Sequence, residues 1–273
     1  MQPGRAGGVS AAEKSSLARD VRGEGLPVVQ LHGLSSSRRR EDLTGGDLTA
    51  GQSGLRVLRY DARGHGLSPG SGDPRDYTWP AQAADLRRQL DEVFGDQSVH
   101  GVGRSMGTAT LLTAATVEPG RFSTLTLAIP PTVWQWRRDQ GRLYELGARQ
   151  VERWGVARWS ELTRRPPTSP AIDPDAPVTL PDVADEWLPA AFRGAAATDL
   201  PPREDIARLS MPVLVLAWPQ DASHPLEVAR ELVELLPNAR LEVAHSPCEV
   251  AQWPHTVATF IRGGGAGGLS GSS

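Results

Sequence analysis

Residues Ser98 to Ala115 read SVHGVGRSMGTATLLTAA. The first five, Ser98 to Val102, suit a buried strand, and the run from Met106 onward suits a helix rich in small and apolar residues. Between them stands Gly103-Arg104-Ser105-Met106-Gly107, a G-x-S-x-G pattern. The pattern alone arises often by chance. Placed between a strand and a helix it has a physical reason: the chain turns sharply, the serine side chain is pushed outward, and flanking glycines let the backbone crowd. The N-terminus of the following helix favours negative charge beside the serine.

Working outward, short apolar runs alternate with helical patterns. Pro27 to Leu31, Leu55 to Tyr60, Ser123 to Ile129, Pro212 to Ala217 and Leu241 to Ala244 read as strands, with a weaker one at Leu17 to Val21. Runs with no polar alternation fit a parallel sheet covered on both faces. Trp79, Ala83, Leu86, Leu90, Val93 and Phe94 make a helical stripe, with Thr78 as N-cap and Pro80 in the first turn. Leu232, Val233 and Leu236 mark a second helix, and Val250, Trp253, Val257, Phe260 and Ile261 a third. Alternating strands and helices predict an α/β fold with a doubly wound, mostly parallel sheet. The regularity breaks in residues 130–210, where Trp134, Trp136, Trp154, Trp159 and Trp187 fall among two helical stretches, Val133 to Thr163 and Val183 to Arg193, joined by a Pro-rich link. This insert is expected to form a small helical cap on the sheet core of residues 17–129 and 211–262. Its tryptophans either pack the cap or, one or two of them, line an apolar substrate pocket. Residues 1–16 and 263–273, polar and rich in Gly, Ser and Ala, are expected to be disordered.

Composition excludes several classes. Of 273 residues, 29 are basic and 32 acidic, for a formal net charge of −3. No basic patch marks a nucleic-acid surface. A single cysteine, Cys248, cannot form an internal disulfide or a four-cysteine zinc site; it suits a buried inert position better than a reactive one. No apolar run reaches the roughly 20 residues of a membrane span, and the start carries no signal-peptide core. The expectation is a cytoplasmic protein with no nucleic-acid or membrane partner.

Two further motifs complete the pattern. Leu31-His32-Gly33-Leu34 ends one strand, and Tyr60-Asp61-Ala62-Arg63-Gly64-His65-Gly66-Leu67-Ser68 ends another. With GRSMG, in this order and spacing, residues 25 to 262 resemble the α/β-hydrolase superfamily, in particular its small capped esterase, lactonase and peroxidase-like branch. The resemblance implies that Ser105 is a nucleophile and that the backbone N–H groups of Leu34 and Met106 form an oxyanion hole. It implies structural roles for His32 and His65, and a serine at the nucleophile position argues against dehalogenase or epoxide hydrolase activity.

A serine nucleophile needs a base and an orienting carboxylate. Family order is serine, acid, histidine. Asp221, in Trp218-Pro219-Gln220-Asp221-Ala222-Ser223-His224-Pro225, occupies the acid position. The histidine departs from the family: the loop Val243-Ala244-His245-Ser246-Pro247-Cys248-Glu249 has none at the usual place, and His245 stands two to four residues early. His245 is the first candidate for the base and His224, three residues past Asp221, the second. His100 suits the core and His255 an exposed helix face. The resemblance thus implies a serine hydrolase of a small ester or lactone, working through an acyl-enzyme on a small-molecule acyl substrate with no cofactor or metal. A cofactor-free peroxidase side activity would use the same residues. The alternative, motivated by the displaced histidine, is a non-catalytic protein of this fold that binds a ligand or partner under its cap.

Overall fold

The computed structural model describes residues 16–265; the two terminal stretches expected to be disordered lie almost wholly outside them. Seven strands form one sheet: β1 (Arg19–Arg22), β2 (Leu26–Leu31), β3 (Leu55–Tyr60), β4 (Val99–Arg104), β5 (Phe122–Ala128), β6 (Val213–Ala217) and β7 (Ala239–Val243). Their order is β1-β3-β2-β4-β5-β6-β7. β1 runs antiparallel to β3, and all other pairs are parallel. The connecting helices are α1 (Arg38–Thr44), α2 (Trp79–Phe94), α3 (Met106–Val117), α4 (Arg137–Thr163), α5 (Leu188–Ala196), α6 (Arg203–Ile206), α7 (Leu226–Leu235), α8 (Pro247–Val250) and α9 (Trp253–Arg262).

The unalternating strands are unalternating because helices cover both faces. In β6, Val213 and Val215 join the core beneath α2, α3 and α7. Leu214 and Leu216 join the opposite core, against Trp253, Val257, Phe260 and Ile261 of α9. Each position of this strand is therefore apolar, and all five are buried. β1, a four-residue edge strand, is mostly exposed and reads weakly in sequence for that reason. After β5 the chain leaves the sheet for the α4–α5 pair and returns at β6. This insert has its own small core, with Val151, Val156, Leu188, Ala191 and Phe192 packed on Tyr77. α4 is broken at Gly155, whose φ of 72° is non-helical.

The central crossing is β4 into α3. A Cβ on Gly103 would lie 2.6 Å from the carbonyl carbon of Gly107, and one on Gly107 would lie 2.7 Å from the Leu31 carbonyl oxygen. The first turn of α3 thus rests directly on the backbones of β4 and β2. Squeezed between these contacts, Ser105 adopts φ 51° and ψ −113°, a conformation that L residues rarely take.

Gly107→Ala should therefore destabilise the protein by about 2 kcal/mol or more, because the obstacle is backbone and cannot swing away. Gly120→Ala, where a Cβ meets nothing within 4 Å, should change stability by less than about 0.5 kcal/mol. Urea unfolding of the two variants checks the difference.

Candidate active site

Ser105 stands half-buried at the carboxyl end of the sheet, where β4 turns into α3. Its Oγ lies 2.8 Å from His224 Nε2. His224 Nδ1 lies 2.8 Å from Asp221 Oδ2. The two contacts share one ring, so Nδ1–H donates to the carboxylate and Nε2 is left to accept the Ser105 hydroxyl proton. The loop after β6 supplies both partners of the serine. Gln220 turns this loop with φ 62°, the His224 N–H donates to the Asp221 carbonyl at 3.2 Å, and α7 begins two residues later.

Asp221 is held by more than His224. The Trp218 indole N–H donates to the same Oδ2 at 2.9 Å, and the Ser223 backbone N–H donates to Oδ1 at 3.0 Å. Burial pushes this carboxyl up, but the hydrogen bond and charge of His224, with the Trp218 and Ser223 donors, outweigh it and hold Asp221 well below the ordinary carboxylate range.

His245, expected first as the base, is not brought to Ser105. It is exposed just beyond β7. Its backbone N–H donates to Glu249 Oε2 at 2.7 Å, while Ser246 Oγ accepts from the Glu249 N–H at 3.3 Å. Ser246 and Glu249 thus cap α8 in the manner of a capping box, and the loop is spent on closing that turn. Cys248, expected buried, is exposed, because it stands on this single-turn surface helix. The signals for this arrangement are in the sequence: Asp-x-x-His places two side chains within one turn of each other, and Ser-x-x-Glu marks a helix start. Trp218, the second donor to Asp221, had no sequence signal beyond its proximity to Asp221.

The remaining histidines separate cleanly. The Ala62 N–H donates to His32 Nε2 at 2.9 Å and His32 Nδ1 donates to the Gly33 carbonyl at 2.8 Å, so His32 is a neutral tie between two loops. Burial lowers its pKa. His65, 5.2 Å from His32 between ring centroids, is pushed down to about 3, by burial first and by the neighbouring His32 second. His100 is buried against Thr124 and His255 is exposed.

The loop carrying Leu34 lies against the serine. A Cβ on Gly33 would lie 3.4 Å from Ser105 Cβ and 3.9 Å from its Oγ, so glycine there keeps the approach open. Among the described residues neither the Leu34 nor the Met106 backbone N–H is bonded to another backbone carbonyl outside the helices and strands.

Four of the insert's five tryptophans, Trp134, Trp136, Trp159 and Trp187, pack against the cores, and Trp154 is exposed. Trp159 stands edge-on to Phe192 at 5.2 Å, and the Trp134 indole donates to the Pro201 carbonyl at 3.2 Å beneath Arg203. Among the described residues, no helix is long and apolar enough to cross a membrane.

The sequence profile of the alpha/beta hydrolase family matches residues 28–259; the chain belongs to that family. It is 29% identical over 238 residues to a non-heme chloroperoxidase of Streptomyces lividans, covering 80% of this chain and 83% of that protein. It is also 35% identical over 114 residues to the sn-1-specific diacylglycerol lipase ABHD11 of Xenopus laevis, covering 41% of this chain and about a third (35%) of the lipase. Among solved structures, the enol-lactonase of Burkholderia xenovorans LB400 superposes with a TM-score of 0.74 at 20% identity, over 90% of this chain and 96% of that one. A thermophilic esterase of Thermogutta terrifontis gives 0.67 at 24% identity, over 90% and 91%. At these identities the structures speak for the fold.

The buried neutral histidines set a pH dependence. A histidine whose folded pKa is depressed contributes stability that is complete above its unfolded value of about 6.5 and is lost as pH falls toward the folded value. Unfolding free energy should therefore decline from about pH 6.5 downward, and His65→Gln should flatten that decline. Urea midpoints at several pH values between 7 and 4 check this.

Proposed function

We propose that the protein is a serine hydrolase of small carboxylic esters or lactones, with Ser105 as nucleophile, His224 as base and Asp221 as the orienting acid. The observation that carries this is the continuous relay of two 2.8 Å contacts from Ser105 Oγ through the His224 ring to Asp221. Names among the relatives and structural neighbours (a lipase, an esterase, an enol-lactonase) support the reaction class.

In this reading Ser105 Oγ attacks the carbonyl carbon while its proton passes to His224 Nε2. The carbonyl oxygen takes the negative charge and is received by the N–H groups of Leu34 and Met106, the latter at the N-terminus of α3. Asp221 stabilises the charged imidazole and fixes its tautomer. The proton on Nε2 then goes to the departing alkoxide, leaving the acyl group on Ser105. A water, losing its proton to His224, attacks the acyl-enzyme, and the proton returns to Ser105 as the acid leaves. For a lactone the alkoxide and acyl group belong to one molecule, and the product is a hydroxy acid.

The non-catalytic reading drew its motive from the missing histidine in the loop after β7. With His224 on Ser105 that motive falls away.

Hydrolysis of p-nitrophenyl acetate by purified variants tests the assignment. Ser105→Ala and His224→Ala should each lower kcat/KM by about 1000-fold or more, and Asp221→Asn by about 100-fold or more. His245→Ala should stay within about twofold of wild type. Loss of activity in His245→Ala with His224→Ala unaffected would reverse the assignment.

A further inference from the structure

α1 buries a charge and exposes a leucine. Of its seven residues only Glu41 is buried, while Leu43 is exposed. A buried carboxylate is costly unless it is paired and hydrogen-bonded, and Glu41 is both. The Ser36 hydroxyl donates to its Oε1 at 2.6 Å, and Arg104 Nη1 donates to its Oε2 at 3.2 Å. Burial pushes the carboxyl up, but the charge of Arg104 and the Ser36 hydrogen bond outweigh it and hold Glu41 below the ordinary carboxylate range. Apolar side chains of similar volume often pack such a site as stably. What hydrogen bonds add is direction, fixing where Ser36 and Arg104 stand.

These two partners flank the oxyanion donors symmetrically. Ser36 is two residues after Leu34, and Arg104 is two residues before Met106. One carboxylate thus bridges the loop after β2 and the turn from β4 into α3. Both stretches are strained. Ser35, between Leu34 and Ser36, has φ 61°, and Ser105, between Arg104 and Met106, has φ 51°. Such conformations persist only where the surroundings over-determine them. The Ser35 carbonyl accepts the Asp182 N–H of the insert at 3.0 Å, and the Ser36 side chain is held by Glu41. Gly46 closes over the pair, since a Cβ there would strike both Glu41 Oε2 and Arg104 Nη1. Arg104 also lies 5.8 Å over the ring of Trp218. Trp218 in turn stacks on Trp253, with centroids 5.5 Å apart, and donates to Asp221.

We propose that Glu41 is a positioning residue of the oxyanion hole: its carboxylate holds the Leu34 loop through Ser36 and the nucleophile turn through Arg104, and so fixes the spacing of the Leu34 and Met106 N–H groups. The proposal rests on the reading of Ser105 as nucleophile and of these N–H groups as the donors to the oxyanion. Glu41 touches no reacting atom, so its loss should weaken the transition state and not ground-state binding.

Hydrolysis of p-nitrophenyl acetate and its inhibition by trifluoroacetone are compared in wild type, Glu41→Ala, Glu41→Gln and Gly46→Ala. The ketone carbon adds Ser105 Oγ, the serine proton passes to His224, and the ketone oxygen becomes an oxyanion in the hole. Glu41→Ala should lower kcat and kcat/KM together by about tenfold or more, with KM within about twofold, and raise the inhibition constant by the same factor. Gly46→Ala, which wedges the pair apart and leaves both partners present, should lower kcat by about fivefold or more. Glu41→Gln, whose amide can accept from Arg104 and donate to Ser36, should stay within about threefold of wild type. Urea midpoints show which variants fold, and Gly46→Ala decides if Glu41→Ala does not.

Unchanged kcat/KM and inhibition in Glu41→Ala and Gly46→Ala, with Ser105→Ala inactive, overturn the positioning role and leave the hydrolase intact. So does a fall in kcat/KM with no rise in the inhibition constant, or a Glu41→Gln variant as impaired as Glu41→Ala. Wild type that neither hydrolyses the ester nor shows a trifluoroacetone adduct by fluorine NMR overturns the hydrolase reading and this proposal with it.

Discussion

The backbone contact between α3 and the sheet governs the geometry of this protein. Gly103 and Gly107 lack side chains at two places where a Cβ would strike backbone within 2.7 Å, and only that closeness brings the helix start down onto β2 and β4. Ser105, between the two contacts, sits at positive φ. The strain is sustained by a core in which α3 is buried along most of its length. The rest of the site is built onto this point, with His224 reaching Ser105 Oγ at 2.8 Å.

How they reach it is the particular feature of this chain. Asp221 and His224 share one loop, three residues apart, so one short turn after β6 sets both the His224 ring and the carboxylate bonded to it. Asp221 accepts three N–H donors, from His224, Trp218 and Ser223, and the stacked Trp218–Trp253 pair ties it to the core on the α9 side. The loop after β7 is released from any part in this and is folded instead into the cap of α8.

The sheet was legible because both of its faces are covered, which removes polar alternation and leaves plain apolar runs such as Val213–Ala217. α1 was not legible: RRREDLT has no apolar stripe, and the helix is held by the Ser37 cap and by Arg38 bonding Asp61. Ser105 and Asp221 could be placed because a motif fixes their backbone position. The histidine that faces Ser105 could not, because sequence locates a histidine on a loop and not the direction of its ring. His245 and His224 stand at the same edge of the sheet, and the choice is made by a Ser246–Glu249 cap that consumes one loop and a one-turn reach that closes the other. For the insert's tryptophans the first of the two readings, packing, holds for Trp134, Trp136, Trp159 and Trp187. Trp159 and Trp187 are covered by the insert's own core and Trp134 and Trp136 by the main one, while Trp154 stays exposed.

The central claim is that Ser105 is activated by His224. The rate of covalent labelling of Ser105 by a fluorophosphonate probe, read by mass spectrometry of the Ser105 peptide, measures that activation without reference to any substrate. Wild type and His245→Asn should label at similar rates, and His224→Asn should label about 100-fold more slowly or worse. Slow labelling of His245→Asn with His224→Asn at the wild-type rate would contradict the account.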